Sequence, residues 1–221
     1  MIKSMEHITA SCVIGEGAVY RNGKLLFATP RPPAPPAPAA ANPTAFLLSA
    51  YRHFDLQYPK FYKMDPLSRL GWITTELLLG PGWDTSIYRP EDIAIVLSNA
   101  HSSLDTDYRY NETIRDIPSP SVFVYTLPNI MIGEISIRHG IKGESAFFLS
   151  PSFDPLLLAG YTRLLLRQGI ANAAIVGWVD VLGDEYKAAL FLIEKTKDTD
   201  TPDFSPERMQ AIFQNPTKPW M

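Results

Sequence analysis

The sequence predicts an α/β fold, and three observations carry that reading. Apolar runs of strand length alternate with helical patterns over most of the 221 residues. One of those runs, IAIVL at 93–97, is continuous and β-branched, as in a strand covered on both faces. The helical patterns also share a punctuation, with proline near the start and glycine at the end.

The elements follow in order. Residues 8–14 and 24–28 are short apolar runs parted by Gly15, Gly17 and Asn22-Gly23, which reads as two strands with a hairpin signal between them. The stretch RPPAPPAPAAANP at 31–43 is rich in residues that fix φ and lack a donor. It is expected to be an extended surface loop over 30–43, a stiff spacer in preference to a proline-motif ligand. From Asp65 a cap, Pro66 and apolar residues at Leu67, Leu70, Ile73, Leu77 and Leu78 predict a helix that Gly80-Pro81-Gly82 ends. Residues 93–97 should be a central strand. A second helix lies between Pro128 and Gly140, and a third between Asp154-Pro155 and Gly169. Residues 145–149, 173–178 and 186–193 are strands, the last two joined by a turn at Leu182-Gly183-Asp184. Residues 195–221 read as a polar tail with a short helix near 206–213, following a main domain over 1–194.

Composition narrows the class. A chain of this length with 46% hydrophobic and 19% charged residues can bury roughly 70% of its unfolded surface in one domain. The net charge of -3 and the dispersed 20 Lys and Arg residues argue against a nucleic-acid partner, which would need a basic stripe. A single cysteine, Cys12, allows no internal disulfide and fits the cytoplasm. Lys3, Glu6 and His7 interrupt the first residues, so no signal peptide is expected, and no apolar run is long enough for a membrane span.

Residues 156–166 are informative for a different reason. Leu156, Leu157, Leu158, Tyr161, Leu164, Leu165 and Leu166 cover much more of a helical wheel than the stripe of a surface helix. Such a helix should lie against a second layer, from its own chain or from a partner subunit, or else be an unusually buried core helix.

Four segments, taken together, resemble the N-terminal half of the β-ketoacyl synthases of the thiolase-like superfamily. They are YKMDPLSRLGWITTELLL at 62–79, DIAIVLSNAHSSLDTD at 92–107, VYTLPNIMIGEISIRHGIKGE at 124–144 and FDPLLLAGYTRLLLRQGIANAAIVGWVDVL at 153–182. The third is the most specific, because it combines Pro128, Asn129, Gly133, Gly140 and Gly143. The resemblance implies a thiolase-like half-domain with a mixed five-stranded sheet packed with helices. It also implies that the nucleophile position, a cysteine in the family, is Ser152 here, within Ser150-Pro151-Ser152. The family's two catalytic histidines come from its C-terminal half. This chain has His7, His53, His101 and His139 only, none of them after Ser152.

The function implied is that of a catalytically degenerate ketosynthase-like subunit. It would act with a complete β-ketoacyl synthase (3-oxoacyl-acyl-carrier-protein synthase) and an acyl carrier protein in fatty-acid-like, polyketide or aryl-polyene chain assembly, as a homo- or heterodimer. The alternative is a self-sufficient acyl-transfer enzyme with Ser152 as nucleophile, assisted by Asp154 and a histidine such as His101. Ser150-Pro151-Ser152 serves equally as turn and cap chemistry before the Asp154-Pro155 helix start. His101 with Asp105 and Asp107 forms no recognised metal-ligand set, and Gly15-Glu16-Gly17 lacks the rest of a phosphate loop. No cofactor is expected.

Overall fold

The computed structural model describes residues 5–29, 42–83, 87–196 and 201–217. Most of the proline-rich segment, for which an extended loop is expected, lies outside them. The chain opens with β1 (Met5–Gly15), β2 (Ala18–Arg21) and β3 (Lys24–Ala28). Three strands thus stand where the sequence suggests two. The reason is local: Glu16-Gly17 and Asn22-Gly23 each place two successive residues at positive φ, the conformation of a tight two-residue hairpin turn. The four-residue β2 between them is too short to show an alternating pattern.

The sheet continues with β4 (Ile93–Asn99), β5 (Ser145–Leu149), β6 (Ala173–Leu182) and β7 (Glu185–Thr196). Its order is β3-β2-β1-β7-β6-β4-β5. The sheet is therefore seven-stranded instead of five-stranded: β1, β7, β6, β4 and β5 are extended by the β2–β3 hairpin beyond β1. It is mixed, since β4 pairs parallel to both β5 and β6 while the other neighbours are antiparallel. β4 is buried along its whole length, as its continuous apolar run requires. β5 is an edge.

Helices cover both faces. On one side lie α1 (Pro43–His53), α2 (Pro66–Leu79) and α5 (Ile130–His139), around a core that includes Phe46, Trp72, Ile73 and Ile135. On the other lie α6 (Pro155–Arg167) and α7 (Pro206–Gln214), with Phe153, Leu158, Leu166, Phe204 and Met209. The strands divide between the two cores by alternation: on β6, Ile175, Val179 and Val181 face the first, while Ala174, Val176 and Trp178 face the second. The excursion from β4 to β5 carries α3 (Leu104–Thr113) and the single turn α4 (Pro120–Phe123) before α5.

The predicted caps are present. Asp65 Oδ1 accepts from Ser68 N at 2.9 Å at the head of α2, and Asp154 Oδ1 from Leu157 N at 3.0 Å at the head of α6. Buried Asp65 also accepts from Thr106 Oγ1 at 2.7 Å, tying α2 to α3. Gly143, in the most specific of the four segments, is fixed by close approach. A β-carbon there would lie 2.2 Å from Ile93 O and 2.6 Å from Glu91 O, so the turn into β5 can rest on the start of β4 only if residue 143 is glycine.

The helix α6 is two-faced. Leu158, Leu165 and Leu166 are buried against the sheet and α7, but Leu156 is 71% exposed and Leu164 49% exposed. The second layer expected from the sequence therefore covers one side of this helix in the single chain and leaves the other bare. Among the described residues no helix is long and apolar enough to cross a membrane.

An ion pair joins α2 to α5. Arg138 Nε and Nη2 donate to the two Glu76 oxygens at 2.7 and 3.1 Å, and His139 Nε2 lies 3.1 Å from Oε1. Burial alone would raise the Glu76 carboxyl, but His139 and Arg138 outweigh it and bring it from an ordinary 4.5 down to about 2. A carboxylate lowered in the folded state stabilises fully above its unfolded value, and that stability is lost as pH falls through the folded value. The difference in melting temperature between wild type and Glu76→Gln should hold steady above about pH 5 and shrink to nothing near pH 2. A gap that persists unchanged to pH 2 would contradict this assignment.

Candidate functional site

In an open sheet with parallel strands, ligands and reactive groups gather at the carboxyl ends of those strands. Here those ends belong to β4, β5 and β6, and hydrogen bonds draw their loops together. Ser150 N, just after β5, donates to Asn99 O at the end of β4 at 3.0 Å. Asp180 of β6 reaches the loop after β4: its Oδ1 accepts from Ala100 N at 3.2 Å and His101 N at 3.1 Å, and its Oδ2 lies 2.7 Å from His101 Nδ1. Two backbone donors thus fix the carboxylate that orients the imidazole.

The residues proposed for a nucleophilic triad are placed as follows. Ser152 is exposed at the turn between β5 and α6, and among the described residues its hydroxyl makes no hydrogen bond. Asp154 is committed to capping α6. His101 is committed to Asp180, not to Asp154. No hydrogen bond joins Ser152 to either partner, so the structure does not assemble the relay that would activate a serine hydroxyl. The other histidines are occupied elsewhere: His7 Nδ1 lies 2.7 Å from Thr201 O, His53 packs on Phe27 and Phe54, and His139 meets Glu76.

Cys12 offers no substitute nucleophile. It is fully buried in β1, and burial pushes its thiol up to about 12, where almost no thiolate forms at neutral pH. Asp105 and Asp107 are also engaged: Asp105 Oδ1 accepts from Gly183 N at 2.9 Å, and Asp107 accepts from Ser103 Oγ at 3.3 Å. Among the described residues no cluster of three metal-ligating side chains exists.

Asp180 is the residue that sequence reasoning missed. Its signal was present, since GWVDVL places one acid in an otherwise apolar strand. The His101–Asp180 pair opens onto a groove of about 760 Å³ between the β1–β2 and β6–β7 turns, lined also by Glu16, Tyr20, Lys187 and Gln214. Lys187 lies with its Nζ 4.0 Å from the Phe213 ring centroid, and burial lowers its ammonium below the ordinary lysine value. What this end of the sheet provides is an oriented imidazole and an exposed serine, not joined to each other.

No protein-family model and no curated protein sequence matches the chain. Solved structures do match in fold. A chain of the ishigamide ketosynthase/chain length factor superposes with a TM-score of 0.63 at 16% identity, over 90% of this chain and 64% of its own length. A chain of AntDE:AntF, a type II PKS acyl-carrier protein in complex with its ketosynthase, gives 0.58 at 15% identity over 89% and 64%. A chain of the ketosynthase (ApeO) in complex with its chain length factor (ApeC) from Xenorhabdus doucetiae gives 0.55 at 13% identity over 98% and 93%. The present chain thus spans 64% of the first two relatives and nearly all of the third.

Proposed function

We propose, from the ketosynthase-like fold of the thiolase type that the chain has, that it is a non-condensing subunit. It would work beside a complete β-ketoacyl synthase and an acyl carrier protein in cytoplasmic assembly of fatty-acid-like, polyketide or aryl-polyene chains. The observation that carries this reading is an uncovered apolar surface. Most of the exposed large apolar side chains lie between residues 108 and 164, including Ile117 at 77% exposure, Leu127 at 58%, Leu149 at 62% and Leu156 at 71%. They fall on the excursion before β5, on β5 itself and on α6.

Exposed apolar side chains on neighbouring elements are the kind of surface that a second subunit covers. Among the described residues β5 has β4 on one side only, which leaves its other edge a row of unpaired backbone donors and acceptors. Both features favour a second subunit docking along β5 and α6. Ser152 in place of a thiol and, among the described residues, the lack of a base hydrogen-bonded to it argue against condensation by this chain alone. The match over 93% of the length of a chain of a ketosynthase–chain length factor complex supports the same role. On this reading Ser152 occupies the nucleophile position without acting there.

The test combines two measurements. Co-expressed with a complete ketosynthase encoded beside it, the chain should co-purify as a stoichiometric heterodimer. Incubated with acyl thioesters, it should show no covalent mass increase, and Ser152→Ala should behave identically. An acyl adduct that Ser152→Ala abolishes, with no ketosynthase complex, would establish the self-sufficient acyl-transfer enzyme instead. Binding of acyl carrier protein with neither result would mark a docking module.

A further inference from the structure

On the α2 side of the sheet, the β2–β3 hairpin and the carboxyl-terminal ends of α1, α2 and α5 border a groove of about 580 Å³, within the range of small-molecule sites. Its walls are mostly apolar, with Leu26, Phe54, Leu56, Leu77, Leu79 and Pro81. The charged groups are Arg21, Arg138, His139 and Glu76. Arg138 and His139 already meet Glu76. Arg21 donates Nε and Nη2 to Leu78 O at 3.3 and 3.2 Å and has no ion pair among the described residues.

One further group is unaccounted for. Trp83 is one of the residues lining this groove, and its buried Nε1 has no hydrogen-bond partner among the described residues. A buried N–H without an acceptor is costly, and a native structure that keeps one invites the acceptor to come from outside. Trp83 and Arg21 flank the same residue: Trp83 N donates to Gly80 O at 3.3 Å, and a β-carbon on Gly80 would lie 3.1 Å from Arg21 Nη2. Trp83 and Arg21 thus both adjoin Gly80 in the lining of the same largely apolar trough.

We propose that this groove binds a carboxylate carried on an apolar chain, the carboxylate accepting from Trp83 Nε1 and pairing with Arg21 while the chain lies along the leucines. Arg138 and His139 already face Glu76, so Arg21 is the guanidinium of this groove left to meet an incoming carboxylate. The walls select an aliphatic or aryl body over a small polar acid. This inference is independent of the subunit role proposed above, because it concerns the opposite side of the sheet from α6.

Sodium dodecanoate below its micelle concentration is the probe, added to the full chain and followed by calorimetry and by the indole N–H resonances. Dodecanoate should bind saturably and move the Trp83 resonance, identified by its disappearance in Trp83→Phe. Dodecan-1-ol should bind at least about tenfold more weakly, since it lacks the charge that Arg21 meets. Arg21→Gln should weaken dodecanoate by at least about tenfold at unchanged circular dichroism. Because Arg21→Gln also loses bonds to Leu78 and could disturb the hairpin, Trp83→Phe provides a second variant, expected to weaken dodecanoate and leave dodecan-1-ol unaffected. Absence of dodecanoate binding, equal affinity for acid and alcohol, or a stationary Trp83 resonance at saturation would overturn the assignment.

Discussion

Replacing Gly177 with alanine is expected to destabilise the fold by about 3 kcal/mol or more, lowering the melting temperature by at least about 6 °C. Gly177 lies within β6, between Leu97 of β4 and Leu190 of β7, with φ at 157°. A β-carbon there would stand 2.0 Å from Ala189 O and 3.0 Å from Leu190 Cα. These neighbours are backbone of an adjoining strand, so no rotamer change relieves the clash. The ladder between β6 and β7 must open instead, at the middle of the sheet. Urea titration should show a lower midpoint at an unchanged slope. A variant melting within 2 °C of wild type would show that the sheet yields more easily than this packing allows.

A second large effect is expected at the bare face of α6. If the proposed ketosynthase partner docks along α6, Leu156→Glu should weaken that association by at least about thirtyfold, the loss of an interface anchor. The isolated chain should melt within about 2 °C of wild type, because a substitution at a residue 71% exposed removes little packing. Leu165→Glu, nearer the end of the same helix but 3% exposed, should fail to fold. The pair of variants separates assembly from stability on one element. Undiminished association of Leu156→Glu, measured by interferometry at fixed salt, would remove α6 from the interface.

The contrast between those two leucines also shows what the sequence could and could not express. Caps and end signals made α2, α5 and α6 legible, and Asp65 and Asp154 cap as their spacing suggested. The continuous run of β4 announced a strand buried on both faces. Hydrophobicity alone, however, cannot distinguish a leucine facing the core from one facing a partner, so the sequence left open whether the chain itself or a second subunit covers α6. α3 carried no apolar stripe, since only Thr106 of its ten residues is buried. β2 had too few residues for a period. The site was harder still: Asp180 meets His101 across 79 positions, and Trp83, Arg21 and Arg138 share one groove from three separate stretches of the chain. Such meetings depend on strand order, which local patterns do not encode.

The open edge at β5 has a further consequence for the cell. If the proposed pairing along β5 holds, a copy made in excess of its partner would present a strand whose outer side meets no other described strand, a template for any extended segment it encounters. Its persistence would then be governed by supply: matched synthesis of the two subunits protects it, and surplus copies are exposed to aggregation and proteolysis.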